Sequence, residues 1–377
     1  MKKALFVAKD YLFYKNKFDG QMNALQSKGY QCFFYSYEAE MNLYHFFAFD
    51  AGECTDLFST NSKWSGALFE KYMEQSVCGY IFDLIYIRRL GLTLRKYGHI
   101  LRKWNKEKVS IFYEIPTYPF ENRGTKENIK QCIEKILYYK AIIPNVQAIP
   151  VYCYDSKSKL LSKMLPVENC VDVNKFKKIN LYNIPKFDGT RISLLGIAHY
   201  QKWHAYDRLI QSLDEFKKKI QMDINFTIYG NFNFETANLK KWVEIRNIDF
   251  VNFLEEKDVC DKAEFFSQFH VGVGCLGIHR KDNLASDSLL DTSIKNKEYC
   301  AMGIPFIHSS KDVSFRDDFK YHYIVESGEK EIDFNKILTW YSTLRENKNI
   351  KNEMYIYACK NLSFTNWANK ILNAKNM

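Results

Sequence analysis

Three stretches carry the side chains that could do chemistry. In the first, Ser293-Ile-Lys295-Asn-Lys297-Glu298 runs on to Gly303-Ile-Pro305. The spacing predicts a helix with Lys295 and Glu298 on one face, a C-cap at Gly303 and a strand entered at Pro305. Such a carboxylate can accept charge-assisted hydrogen bonds from hydroxyls; the plain alternative is a solvated ion pair. The second stretch, from Leu195 to Ile210, holds His199, Trp203, His204, Asp207 and Arg208. Cations near a helix start can stabilise developing negative charge without a metal; the plain alternative makes His204 only a cap. The third, Gly272-Val-Gly274-Cys-Leu-Gly277, matches the dinucleotide pattern GxGxxG after an apolar strand, with Glu298 about 20 residues on. That reading implies an NAD-dependent oxidoreductase. The chain continues, however, as His279-Arg280-Lys281-Asp282-Asn283 and not as an apolar-periodic helix.

Other classes are excluded early. The ten Cys are scattered through 377 residues without CxxC or other metal-ligand spacing, which predicts reduced thiols in a cytosolic protein. No uncharged apolar run approaches the roughly 20 residues of a bilayer span. The apolar run at Ala4–Ala8 ends at Lys9-Asp10, too short for a signal peptide, and is predicted to be a buried strand. Charge is uneven: residues 1–180 hold 27 Lys and Arg against 18 Asp and Glu, a net of +9, while residues 181–377 net +1. The first half is therefore expected to face an anionic partner.

The elements that must position these residues alternate between strand and helix, twice. Lys3–Ala8, Gln31–Tyr37, Phe82–Ile87 and Val109–Ile115 are predicted strands. Gly20–Gly29, Trp64–Val77, Leu90–Lys106 and Lys126–Lys140 are predicted helices between them. After a polar stretch from Asp172 to Thr190 the series restarts. Strands are expected at Ile192–Ile197, Asn225–Tyr229, Phe250–Phe253 and His270–Val273, with helices at Ala205–Lys219, Glu235–Arg246, Asp258–Phe269 and Ser293–Met302. Alternation of this kind implies α/β domains with parallel sheets covered on both faces, and in such domains ligands sit at strand C-termini. In Arg88–Lys108, Leu90, Leu94, Tyr97, Leu101 and Trp104 form one stripe. The pairs Arg88/Arg89, Arg95/Lys96 and Arg102/Lys103 lie away from it. The stripe is expected to pack on the first sheet, leaving the basic face for lipid headgroups; no nucleic-acid module accompanies it.

The first and second stretches resemble the nucleotide-sugar motifs of GT-B glycosyltransferases related to family four, in the subgroup that builds capsular and surface polysaccharides. Phe112-Tyr-Glu114-Ile-Pro-Thr117-Tyr-Pro119 is similar to an acceptor-side loop of that subgroup. Phe364-Thr-Asn-Trp367 resembles its C-terminal crossing helix. The resemblance implies two Rossmann-like domains facing across a cleft: residues 1–180 for the acceptor, residues 181–355 for the nucleotide sugar, and residues 356–377 crossing back. It implies sugar transfer from a nucleotide-diphosphate donor to a lipid-linked surface glycan, retaining and metal-independent, with no cofactor. The enzyme would be cytoplasmic and peripheral at the inner face of the cell membrane, with an anionic membrane surface but no nucleic acid as partner. His204, Lys295 and Glu114 would be catalytic. His199, Arg208, Gly230, Arg280, Asp291 and Glu298 would bind the donor, Glu298 through the ribose. Where relatives carry Arg and Lys, this chain has His199 and His204. The family's first acidic position holds Leu290, beside Asp291, with Asp287 another candidate; this leaves a second alternative, an inactive nucleotide-sugar-binding partner of an assembly complex.

Overall fold

The computed structural model describes residues 1–377 except 91–96, 119–124, 156–161, 184, 186, 281–288, 345 and 376–377; side chains at 97, 98, 125–128, 155, 278, 289 and 291 are also outside the description. Leu94, Arg95, Lys96, Pro119, Asp287 and the Asp291 side chain therefore lie outside the described residues. The chain divides into two compact units, Met1–Glu168 with Phe364–Met377, and Asn169–Ser363.

In the first unit the strands are β1 (Lys2–Lys9), β2 (Tyr30–Glu38), β3 (Leu43–Asp50), β4 (Glu53–Asn61), β5 (Leu84–Arg88), β6 (Ser110–Tyr118), β7 (Ile149–Asp155) and β8 (Met164–Pro166). Their order is β7-β6-β5-β1-β2-β3-β4, with β8 beside β7. The predicted strand at residues 3–8 becomes central β1, with Ala4–Ala8 buried as a strand covered on both faces must be. The hairpin β3–β4 was not expected. Its turn, Asp50-Ala-Gly-Glu53, lacks an Asn-Gly or Asp-Gly signal, yet Ala51 (φ 48°) and Gly52 (φ 93°) take the left-handed conformations that a two-residue hairpin needs. Helices α1 (Lys15–Gln26), α2 (Gly66–Ser76), α3 (Tyr97–Lys106) and α4 (Thr125–Leu137) complete the alternation. On α3 the stripe does pack inward: Leu101 and Trp104 join the core, while Arg102, Lys103 and Lys106 stay exposed.

In the second unit β9 (Arg191–Ile197), β10 (Asp223–Gly230), β11 (Val251–Glu255) and β12 (Val271–Val273) lead to the short β13 (Leu289–Asp291), β14 (Phe306–His308), β15 (Lys311–Asp312) and β16 (His322–Ile324). The main sheet runs β11-β10-β9-β12-β14-β16, parallel throughout. Its helices are α5 (Tyr206–Lys219), α6 (Phe234–Ile245), α7 (Lys262–Ser267), α8 (Ile294–Met302), α9 (Phe334–Leu344) and α10 (Ile350–Asn361). Leu209, Leu213 and Ile337 cover one face of the sheet; Phe266, Tyr299 and Met354 cover the other.

The unit boundaries differ from the expected 180/181 and 355/356. Within the polar stretch after Asp172, Ile179 is buried with Val171 against the α8–α10 core. Lys351 Nζ donates to the carbonyls of Ile179 (3.3 Å) and Tyr182 (2.9 Å). A few apolar anchors and one lysine thus bind a polar segment to the second unit. The crossing element is α11 (Phe364–Lys375) alone. Trp367, 2% exposed, packs against Phe6 and Tyr86 of the first unit, and a side chain at Gly20 would strike the Phe364 ring.

Candidate functional site

At the C-terminal end of β9 the chain turns through Ala198–Gln201 and a single 3-10 turn, Lys202–His204, into α5. Ala205 links turn to helix with φ 50°. Its methyl lies where a side chain on Gly277 would fall, 2.6 Å away, so Gly277 is a close-approach glycine. Gly272 is roofed by the Tyr299 ring and Gly274 by Asn296 in the same way. The GxGxxG match is thereby accounted for by packing. The segment after it, Ile278–Arg280, is a 3-10 turn and not the helix that would receive a pyrophosphate. The NAD reading has no support in this geometry.

His204 is buried at 7% exposure. The Gln201 N–H donates to its Nδ1 at 3.0 Å, so Nε2 is the nitrogen that meets Lys295 Nζ, at 2.7 Å. The Tyr206 ring stacks on His204, with centroids 5.6 Å apart, and also lies 5.8 Å from Lys295 Nζ. These two predicted residues, 91 positions apart in sequence, are brought together.

Lys295 projects from α8, which ends at Gly303 (φ 70°) as expected. Three residues on, Glu298 is only partly exposed, and among the described residues no hydrogen-bond donor engages its carboxylate. Burial pushes that carboxyl up to about 7; Lys295 pulls it down, Glu256 raises it and Lys175 lowers it. The opposite side of α8 is closed. Lys297 and Asp312 form a fully buried ion pair at 3.1 Å, and Asn296 donates to the same carboxylate at 3.0 Å. One short helix therefore carries a satisfied polar side and a side whose carboxylate is bonded to no donor among the described residues. Lys175 and Glu256 were not found from sequence, because loops distant in the chain bring them to Glu298.

Of the remaining expected donor-site residues, His199 is exposed, its Nδ1 3.2 Å from the Asn231 carbonyl. Gly230, at φ 151°, passes so close to Ala198 that an added Cβ would lie 2.4 Å from its carbonyl oxygen, so the loops after β9 and β10 require glycine there. Asp291 ends β13, just before α8.

Two arginines depart from expectation. Arg208 is buried, and its guanidinium donates to the carbonyls of Lys330 (2.6 Å), Leu276 (3.2 Å) and Glu326 (3.0 Å). Its donors tie α5 to two loops. Arg280 is held by Asp207 (2.7 and 2.9 Å) and by Glu329 (2.6 Å). Arg280 and His279 hold the Glu329 carboxyl down at about 2. With two carboxylates on it, Arg280 offers no net positive charge to a phosphate.

Glu114 requires the largest correction. It is fully buried in β6 of the first unit. Lys17 Nζ donates to it at 2.7 Å, Tyr86 Oη at 2.8 Å, and Arg88 through Nη1. These partners, Lys17 and Arg88 first among the favourable ones, hold its carboxyl below the usual range despite burial. A carboxylate with no exposure and three donors has no vacancy for an acceptor hydroxyl. The neighbours were missed because Lys17 lies 97 residues away in sequence.

No group of three or more His, Cys, Asp or Glu side chains suited to a metal ion occurs among the described residues. No helix among them is long and apolar enough to cross a membrane.

No protein-family model matches this chain, and neither does any curated protein at a significant level. Solved structures do. A glycosyltransferase from Rickettsia africae ESF-5 superposes with a TM-score of 0.66 at 13% identity, over 100% of this chain and 98% of that one. The catalytic domain of starch synthase IV from Arabidopsis thaliana, bound to ADP and acarbose, gives 0.61 at 9% identity, over 100% of both chains. The pneumococcal O-GlcNAc transferase GtfA, in complex with UDP and GlcNAc, gives 0.51 at 12% identity, over 88% of this chain and 70% of that one. Identities this low establish the fold. This chain has the GT-B fold, as its resemblance in sequence implied.

Proposed function

We propose that this chain is a glycosyltransferase taking its sugar from a nucleotide-diphosphate donor. The observation that carries the reading is Glu298. On a GT-B fold it stands near the C-terminal ends of the second sheet as a carboxylate without a bonded donor, one helical turn from Lys295. A carboxylate so placed accepts the ribose hydroxyls. Lys295 and His204 then face the diphosphate, whose charge grows as the bond to the sugar breaks. A metal is unnecessary in this scheme because Lys295, beside His204, meets that charge. Transfer is retaining: the departing diphosphate takes the acceptor's proton, and the site supplies position and charge without a side-chain nucleophile.

The acceptor in this proposal is a lipid-linked surface glycan, elongated at the inner face of the membrane. The +9 of residues 1–180 and the exposed basic side of α3 support it. Leu290 at the family's first acidic position favours a second reading, a partner that binds nucleotide sugar without turning it over. Calorimetry against uridine, guanosine and thymidine diphosphates and NAD, with mass-spectrometric detection of transfer or donor hydrolysis from a nucleotide-sugar panel, separates these. Binding of a nucleoside diphosphate with turnover is expected. Binding without turnover would support the inactive partner, and binding of NAD alone would overturn both.

A further inference from the structure

Helix α4 exposes an apolar stripe that a helix of a folded core would bury. Its partly hidden side is polar: Glu134 is buried and takes a two-pronged ion pair from Arg89, at 2.8 and 2.7 Å, and the Tyr138 hydroxyl donates to the same carboxylate. Ile133 and Leu137 are half-buried, but a second set of apolar residues looks outward. Ile129 is 57% exposed, Ile136 54% and Tyr139 61%, with Cys132 exposed between them. Spacings of three and four along 129, 132, 136 and 139 make one stripe about 15 Å long at 1.5 Å per residue. A π-helical turn, Tyr138–Ile142, follows α4 and turns Tyr138 in while Tyr139 faces out.

The charge around the stripe is one-sided. Between residues 129 and 143 the only acid is Glu134, which faces inward to Arg89. Lys130 and Lys140 are exposed and Lys135 is partly so. The π turn packs beside α3, whose Arg102, Lys103 and Lys106 are exposed. Aliphatic and aromatic side chains between lysines match a bilayer interface, where apolar groups enter the acyl boundary and ammonium groups meet anionic headgroups. We infer that α4 and its π turn are the membrane-inserting element of the first unit, docking on an anionic lipid surface, with α3 adding long-range attraction. The inference rests on the membrane-facing part of the proposed function and names the surface that performs it.

Sedimentation with vesicles of phosphatidylcholine and phosphatidylglycerol in equal parts tests it. Ile129→Glu with Ile136→Glu should lower the partition coefficient by about tenfold or more. Arg102→Gln with Lys103→Gln should lower it several-fold at low salt only, since screening removes that term. A single tryptophan introduced as Ile136→Trp should be quenched by brominated acyl chains in vesicle-bound protein. Unchanged partition of the double-glutamate variant, or no quenching in bound Ile136→Trp protein, would overturn the assignment. So would conversion of a dimer to a monomer by the glutamates with vesicle binding intact, which would make the stripe a contact between copies. If wild type ignores both these vesicles and pure phosphatidylcholine, the inference and the membrane location fail together. The transferase reading is tested separately by nucleotide-sugar calorimetry without lipid, where both Ile variants should match wild type.

Discussion

Glu114, on β6 of the first unit, and Glu298, on α8 of the second, are carboxylates whose surroundings have opposite character. Around Glu114 two cations and a tyrosine hydroxyl occupy the oxygens, and the carboxyl is held low. Around Glu298 the site is crowded but no donor is bonded, and the carboxyl is pushed up to about 7. The first has used its hydrogen-bonding capacity on the fold. The second has that capacity unspent among the described residues. The resemblance in sequence gives both a functional role, Glu114 a catalytic one and Glu298 a donor-binding one; completion of the hydrogen-bond shell separates them.

The largest effect should come from breaking the satisfied shell. Glu114→Gln leaves Lys17 and Arg88 close together without their anion, and removal of one partner from a buried cluster costs about 3–5 kcal/mol. Denaturant unfolding should show a loss of that size. Nucleotide binding by the protein that remains folded should be unchanged; a stable Glu114→Gln protein lacking only turnover would restore Glu114 to the catalytic residues.

Glu298→Gln should act in the other sense. Charge-assisted bonds to hydroxyls contribute about 1.5–3 kcal/mol each, so nucleotide-sugar affinity should fall by one to two orders of magnitude. A donor lacking the contacted ribose hydroxyl should bind wild type poorly and lose little more in the variant. Additive losses in that cycle would show that Glu298 does not touch the ribose. Stability has its own sign. A carboxyl raised from 4.5 to about 7 favours the protonated folded state, so its ionisation costs stability progressively as pH rises from 4.5 to 7. Glu298→Gln should therefore match wild type in Tm near pH 4.5 and exceed it at pH 8. Wild-type affinity for a nucleotide sugar should rise about tenfold between pH 6 and 8 as the carboxylate forms, and the variant should be flat.

The smallest expected effect belongs to His204. His204→Ala leaves Lys295 without its imidazole partner and should lower kcat by about tenfold, less than the hundredfold or more that loss of a direct oxyanion donor costs, because Lys295 remains. His204→Lys should recover more activity than alanine does. Wild-type turnover by His204→Ala across pH 6 to 8 would reduce His204 to a turn-closing residue.

How much the chain reveals before folding depends on how local each feature is. The alternation of strands and helices was legible, as were the helix from Ser293, its Gly303 cap and the shared face of Lys295 and Glu298. These depend on neighbours within a few positions. The β3–β4 hairpin was hidden because Ala51 adopts a left-handed conformation that its residue type does not advertise. The destinations of Arg208, Arg280 and Glu114 could not be read, since each is settled by partners 26 to 122 residues away. The hold of the polar stretch after Asp172 on α8 and α10 was hidden because it comes from isolated residues and backbone carbonyls.

The position of α11 bears on how this molecule is made. Asn169–Ser363 is continuous, whereas the first unit is closed by Trp367 against Phe6 and Tyr86. During synthesis at about 5–20 residues per second, roughly 10–40 s separate the appearance of Glu168 from that of Phe364. Throughout that interval, while the second unit is being synthesised, the nascent first sheet has an aromatic seat without its occupant. Holdase chaperones therefore have a defined window and a defined surface, and expressing residues 1–168 alone would make that transient state permanent.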